Sequence, residues 1–255
     1  MAALAHAGID ATLAAWDDEA VCWDEYGLCV IRSTWNYPEF PSDFRNWIEA
    51  AGSAVPILNP PDVVRSNVDK RYLLDLERKG IPIVPTEFFQ RGEKPNLAHW
   101  VNRPFVVKPT ISAGSWMTRR FHTDEIALGI AFLQKHLEDR DMMVQPYLDS
   151  VERGGEVAWI WIDGMVTHGV RKSPRFEEDE EFVSEAVVPT ERAREMVRIV
   201  LDTLDADLLY ARIDLMESKG NDLVSEVELI EPSLFFKQNP AALNRFVSAV
   251  KSRIS

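Results

Sequence analysis

Cysteine is scarce in this chain: Cys22 and Cys29 are the only two, seven positions apart and with no histidine pair nearby. Such a pair supports neither a disulfide framework nor a thiolate metal site, and it reads as two buried free thiols in a reducing compartment. Long apolar runs are missing, and so is a basic N-terminal stretch leading into an apolar core. The expected protein is therefore soluble and cytoplasmic, without membrane contact. Basic residues are in deficit, 28 Lys+Arg against 41 Asp+Glu, for a formal net charge of −13. This disfavours a general nucleic-acid binder, and an anionic ligand would need a local cluster of Lys, Arg or metal. The chain has no Gly-x-x-x-x-Gly-Lys-Ser/Thr phosphate loop and no internal repeat.

What is present is an alternation of short strands and helices. At 255 residues and 46% hydrophobic content the chain can bury one or two substantial cores. The spacing predicts a helix end at residues 2–7, strands at 9–15, 28–31 and 55–58, and a helix at 41–51, together a small parallel α/β layer. Such a layer ordinarily opens on a strand, so either a strand is expected to be lacking ahead of Met1 or the true start is expected to lie upstream. Further on, Asp69 is expected to cap a helix over 70–79, with a strand at 105–109, a helix from Thr123 and a strand at 142–147. A hairpin is expected around Asp163-Gly164, then helices at 190–204 and from Asn239-Pro240 onward.

Two stretches carry chemistry. Residues 210–214 and 226–233 read as strands of an antiparallel hairpin joined by the polar turn 217–222, which puts Asp214 and Glu231 on neighbouring strands. Taken alone, the pair reads first as the solvated edge of a hairpin; if buried, it needs a cation between the two acids, and Mg2+ suits carboxylate oxygens. Lys108 ends an apolar strand and is followed by the small residues 110–115, a candidate phosphate cradle. By itself a strand-terminal lysine more often just reaches solvent. The strand ending Val144-Gln145-Pro146-Tyr147-Leu148 offers backbone groups that an adenine edge can use.

In order, these pieces resemble the ATP-grasp superfamily over nearly the whole chain, within it the glutathione-synthetase-like ligases and, as a subgroup, the O-ureido-serine cyclo-ligase (cycloserine synthetase) type. The resemblance rests on residues 67–72, Val106-Val107-Lys108-Pro109 with Ser112-Ala113-Gly114, Gln145-Pro146-Tyr147, Gly155-Glu156, Arg171-Lys172, 211–214 and Glu231-Pro232-Ser233, with residues 32–37 and 58–61 pointing to the subgroup. It implies an α/β (α+β) protein with an N-terminal pre-ATP-grasp α/β domain at 1–66, a small subdomain with the phosphate loop at 67–147 and a C-terminal subdomain with the metal site at 148–255. It implies that Lys70 and Lys108 hold nucleotide phosphates under the loop of Ser112, Ala113 and Gly114, that Gln145, Tyr147 and Leu148 line adenine, and that Glu156 accepts from the ribose. Asp214, Glu231 and Ser233 would hold Mg2+ (or Mn2+). Arg212 would stabilise a tetrahedral intermediate, with Arg171 or Lys172 facing the transferred phosphate. Ser233 stands where the family often has Asn, which loosens the expected second metal position.

The chemistry implied is ATP-dependent conversion of a carboxylate to an acyl phosphate, then attack by an amine to form a C–N bond, between two molecules or within one. Positioning and electrostatics carry such a reaction, so no Ser, His or Cys nucleophile is needed. Arg32, Ser33, Trp35 and Tyr37 follow a strand end of the α/β layer and would face an amino-acid-like substrate. His168 is read as structural, and the acidic run 177–181 as a solvated loop that can belong to a lid. A homodimer is common among resembling proteins. A non-catalytic nucleotide binder and a metabolite phosphotransferase are the alternatives.

Overall fold

The computed structural model describes residues 1–148, 150, 155–172 and 182–254. The N-terminal unit carries helix α1 (Ala2–His6), a short parallel sheet of β1 (Cys29–Val30) and β2 (Ile57–Leu58), and helices α2 (Pro41–Ala54) and α3 (Pro61–Asn67). Trp16, Tyr37, Phe44 and Ile48 are buried in its core, where Tyr37 and Phe44 stack at 4.9 Å between ring centroids. Residues 9–15, expected as a strand, have no regular structure. Cys22 is exposed rather than buried, and Cys29 is half-buried; both are free thiols.

Two four-stranded antiparallel sheets follow. The first has the order β3–β6–β4–β5, from β3 (Glu87–Phe89), β4 (Phe105–Pro109), β5 (Arg119–Phe121) and β6 (Met142–Pro146). Helix α4 (Tyr72–Arg78) precedes it, and α5 (Ile126–His136) packs on it through Leu133 against Phe105 and Phe121. The expected helix 70–79 starts two residues late because Asp69 Oδ1 accepts from the Arg71 amide, a local turn that leaves Lys70 ahead of the helix. The second sheet has the order β10–β9–β7–β8, from β7 (Glu156–Ile162), β8 (Met165–Lys172), β9 (Tyr210–Ser218) and β10 (Asn221–Glu228). Its two hairpins turn on Asp163-Gly164 (φ 45° and 86°) and Lys219-Gly220 (φ 51° and 79°), and positive φ at both central residues matches the strand twist. Helix α6 (Glu191–Asp202), capped by the Thr190 hydroxyl, covers one face of this sheet, and α7 (Pro240–Lys251), capped by Asn239, lies against the other. No helix among the described residues is long and apolar enough to cross a membrane.

Alternation along β9 divides its residues between these faces. Ala211, Ile213 and Leu215 join the core under α6, while Tyr210, Arg212 and Asp214 point the other way. Strand β10 ends at Glu228, so the expected strand through Ser233 is corrected: Glu231 and Ser233 lie beyond the ladder. From Leu229 onward the backbone is held by side chains instead. Asn67 Oδ1 accepts from the Leu229 amide at 2.9 Å, Asn59 Nδ2 donates to the Leu229 carbonyl at 2.8 Å, and the Tyr210 hydroxyl lies 2.7 Å from the Ile230 carbonyl. That hydroxyl is also 2.6 Å from the Ile31 carbonyl, which ties the N-terminal unit to the second sheet. Tyr210→Phe is expected to cost about 1–2 kcal/mol, since a buried carbonyl loses its donor, which a calorimetric melting temperature lower by about 3–6 °C would register.

Candidate active site

A cleft of about 650 Å³ opens between the two four-stranded sheets and the edge of the N-terminal unit. Lys108, at the end of β4, brings its ammonium to 2.6 Å from Glu226 Oε1 on β10. Lys70 donates to the Ser112 carbonyl at 2.8 Å and to its hydroxyl at 2.9 Å, so one of the two lysines already holds the small-residue loop. Burial lowers the Lys70 pKa, opposed by Glu226. On β6, Gln145 donates to the Thr86 hydroxyl at 2.9 Å, and Tyr147 and Leu148 continue the same wall. Arg120 stacks 3.6 Å from the centre of the Tyr147 ring.

The floor is a charge network. Asp214 is fully buried, with both carboxylate oxygens gripped by Arg212 at 2.8 and 2.7 Å and one also by Lys172 at 2.6 Å. Burial raises its pKa, but the Arg212 and Lys172 charges outweigh that and leave it below the usual range. Lys172 also reaches Glu156 at 3.1 Å, and Arg212 donates to Glu228. Gly155, at φ 71°, is what lets β7 begin here, because a Cβ at this position would meet the Lys172 carbonyl at 2.7 Å.

Asp214, Glu226 and Glu228 offer carboxylate oxygens that all lie within 4.8 Å of one another. Burial among acids pushes Glu228 up to about 7, while burial on Glu226 is overcome by Lys108 and Lys70, which hold it well below the carboxylate range. Three hard oxygen donors at this spacing fit a divalent cation such as Mg2+. The pair read from the sequence, Asp214 with Glu231 and Ser233, is therefore not the group the structure assembles: Glu226 and Glu228 take that place, and Glu231 and Ser233 line the cleft outside it. The signal that could have found them is the register of β10. Val224 and Val227 both enter the core under α6 although three residues apart, because the register shifts between Val224 and Glu226 with Ser225 as the extra residue. The shift turns Glu226 and Glu228 onto the Asp214 face, paired with Asp214 and Arg212.

Of the other residues singled out in the sequence, Lys70, Lys108, Ser112, Ala113, Gly114, Gln145, Tyr147, Leu148, Glu156, Lys172, Arg212, Trp35 and Tyr37 line the cleft. Arg171 does not: strand alternation turns its side chain to the opposite face from Lys172, and its backbone amide donates to the Ser184 hydroxyl. Nor do Arg32 and Ser33. Arg32 stacks over Tyr210 at 5.1 Å and donates to the Pro232 carbonyl at 2.8 Å, holding the cleft wall from behind, and Ser33 is exposed. His168 is buried in the same row of the sheet as Arg212 and shares a hydrogen bond with Thr167. The acidic run 177–181 lies outside the described residues.

Residues 1–59 match the family model for the D-cycloserine synthetase DcsG N-terminal domain. The cycloserine biosynthesis protein DcsG of Streptomyces lavendulae is 28% identical over 271 residues, covering 97% of this chain and 90% of that protein. The crystal structure of D-cycloserine synthetase DcsG superposes with a TM-score of 0.89 at 29% identity, covering all of this chain and 93% of the other. D-alanine–D-alanine ligase from Bacillus anthracis, complexed with ATP, matches at a TM-score of 0.60 and 19% identity over 82% of this chain and 72% of its own, which shows the fold. The ATP-grasp ligase PsnB, complexed with minimal precursor, Mg and ADP, matches at 0.59 and 16% identity over 89% of this chain and 78% of its own. The chain has the ATP-grasp fold and is similar along its whole length to cycloserine synthetase.

Proposed function

We propose that this protein is an ATP- and Mg2+-dependent carboxylate–amine ligase acting on an amino-acid-like substrate, with intramolecular cyclisation of O-ureido-serine as the specific reaction. The observation that carries this reading is one cleft with two lysines at its roof, three clustered carboxylates on its floor and Arg212 between them. Lys70 and Lys108 would bind nucleotide phosphates, Gln145, Tyr147 and Leu148 the adenine, and Glu156 the ribose. Asp214, Glu226 and Glu228 would hold Mg2+, whose charge offsets that of the phosphates during transfer. The substrate carboxylate attacks the γ-phosphorus and ADP leaves. The nucleophilic nitrogen, an amine or, in O-ureido-serine, the ureido nitrogen bonded to oxygen, then attacks the acyl carbon, phosphate departs, and that nitrogen loses a proton. Arg212, hydrogen-bonded to Asp214 and Glu228, would receive the negative oxygen of the tetrahedral intermediate, and Lys172 braces it through Asp214.

The same proposal extends to Mn2+ in place of Mg2+, since the donors are hard oxygens. It also extends to the three-part division at residues 66/67 and 147/148 and to a homodimer, which rest on the family resemblance, and to a cytoplasmic location, which rests on the two unpaired cysteines. Incubation with ATP, Mg2+ and O-ureido-serine is expected to release ADP and phosphate in equal amounts with a cyclised product. A phosphorylated product without free phosphate would make the protein a phosphotransferase, and ATP binding without turnover with any amino-acid substrate a nucleotide binder.

A further inference from the structure

We propose that Glu231 binds the ammonium group of the amino-acid substrate, at the end of the cleft nearest the N-terminal unit and outside the cation site. The inference rests on the ligase reading above. Every other acid in the floor has a cationic partner: Glu156 and Asp214 have Lys172, Glu226 has Lys108 and Glu228 has Arg212. Glu231 lines the same cleft, is only 9% exposed, and makes no hydrogen bond or ion pair with any described residue. Leaving a carboxylate so placed without a partner is costly. Burial, with the Glu228 charge added, pushes its pKa up to about 8, and a bound cation would return it to the ionised form.

The backbone on both sides of Glu231 is fixed. Ile230 is held through its carbonyl by the Tyr210 hydroxyl at 2.7 Å, and Pro232 by Arg32 at 2.8 Å. A side chain mounted this way is preorganised for a ligand. The kind of cation follows from the surroundings. A divalent ion asks for several oxygen donors and keeps waters, and the carboxylate group suited to it excludes Glu231. Trp35, Tyr37 and Phe235 line this cleft, and Tyr37 feels the Glu231 charge more strongly than that of any other acid. Aromatic walls beside one carboxylate suit an organic ammonium.

Calorimetric titration of the intact chain, loaded with Mg2+ and a non-hydrolysable ATP analogue, tests this with two ligands: O-ureido-serine and the same molecule with hydrogen in place of the α-amine. Wild type is expected to bind the amine form at least ~10-fold more tightly, the scale of one desolvated charge-assisted bond. In Glu231→Gln, a near-isosteric change, that preference should vanish while affinity for the deaminated molecule is kept and Mn2+ titrated alone binds as in wild type. A preference that survives the substitution overturns the assignment. So does a loss of Mn2+ affinity matching that of Glu226→Gln, which would make Glu231 a metal ligand. Wild type binding neither compound would instead overturn the ligase reading, and the inference with it.

Discussion

Asp214→Asn is expected to lose turnover and unfold at a markedly lower temperature. The carboxylate has no exposed surface, and its two oxygens answer a bidentate guanidinium and an ammonium. Replacing it with an amide leaves Arg212 and Lys172 facing each other in a buried sheet, with only Glu228 and Glu156 to balance them. Breaking a buried ion pair on one side costs about 3–5 kcal/mol, which for a chain of this size lowers the melting temperature by about 10 °C. Turnover should fall by at least ~100-fold, because Arg212 loses the partner that orients it towards a developing oxyanion. Scanning calorimetry and ADP release read the two effects separately. A variant that melts like wild type but is inactive would make Asp214 a metal ligand without the structural duty assigned here.

Lys108→Met is expected to change two affinities in opposite directions. Lys108 Nζ lies 2.6 Å from Glu226 Oε1, with 11% and 22% of the two side chains exposed, so lysine and divalent cation compete for the same oxygen. Removing the ammonium should tighten Mn2+ binding in the absence of nucleotide by ~5-fold or more, as a buried competing charge disappears. The same change should weaken ATP binding in the presence of Mg2+ by at least ~10-fold, because a charge-assisted contact to phosphate is lost. Titration calorimetry with each ligand gives both numbers. If both affinities fall together, Lys108 supports the cation site rather than competing for it. The opposite-sign result would mean that filling the cation site frees Lys108 for phosphate, so each ligand would help the other to bind.

How much of this was readable beforehand depended on distance along the chain. The hairpins at Asp163-Gly164 and Lys219-Gly220, the Thr190 and Asn239 caps and the apolar stripe of α6 are written in neighbouring residues, and all are present. Lys108 at a strand end and Gln145 before Pro146 were legible for the same reason, and both line the cleft. The strands at 9–15 and beyond Glu228 were not, because strand formation needs a partner ladder. Past Glu228, Asn59, Asn67 and Tyr210, all distant in sequence, take up the backbone instead.

The sequence by itself determined that the chain has a strand-terminal lysine with a small-residue loop, an acidic hairpin and a sheet-and-helix order of ATP-grasp type. It could not say which acids meet. One extra residue, Ser225, turns Glu226 and Glu228 to the Asp214 face, and a shift of one residue inverts every side chain after it. Alternation on β8 likewise put Lys172 in the site and Arg171 outside it. Only the tertiary structure decided that Arg32 holds the wall rather than lining it, and that Glu231 is left without a partner among the described residues. Both depend on contacts between segments about 200 residues apart, such as Arg32 with Pro232, which local periodicity does not encode.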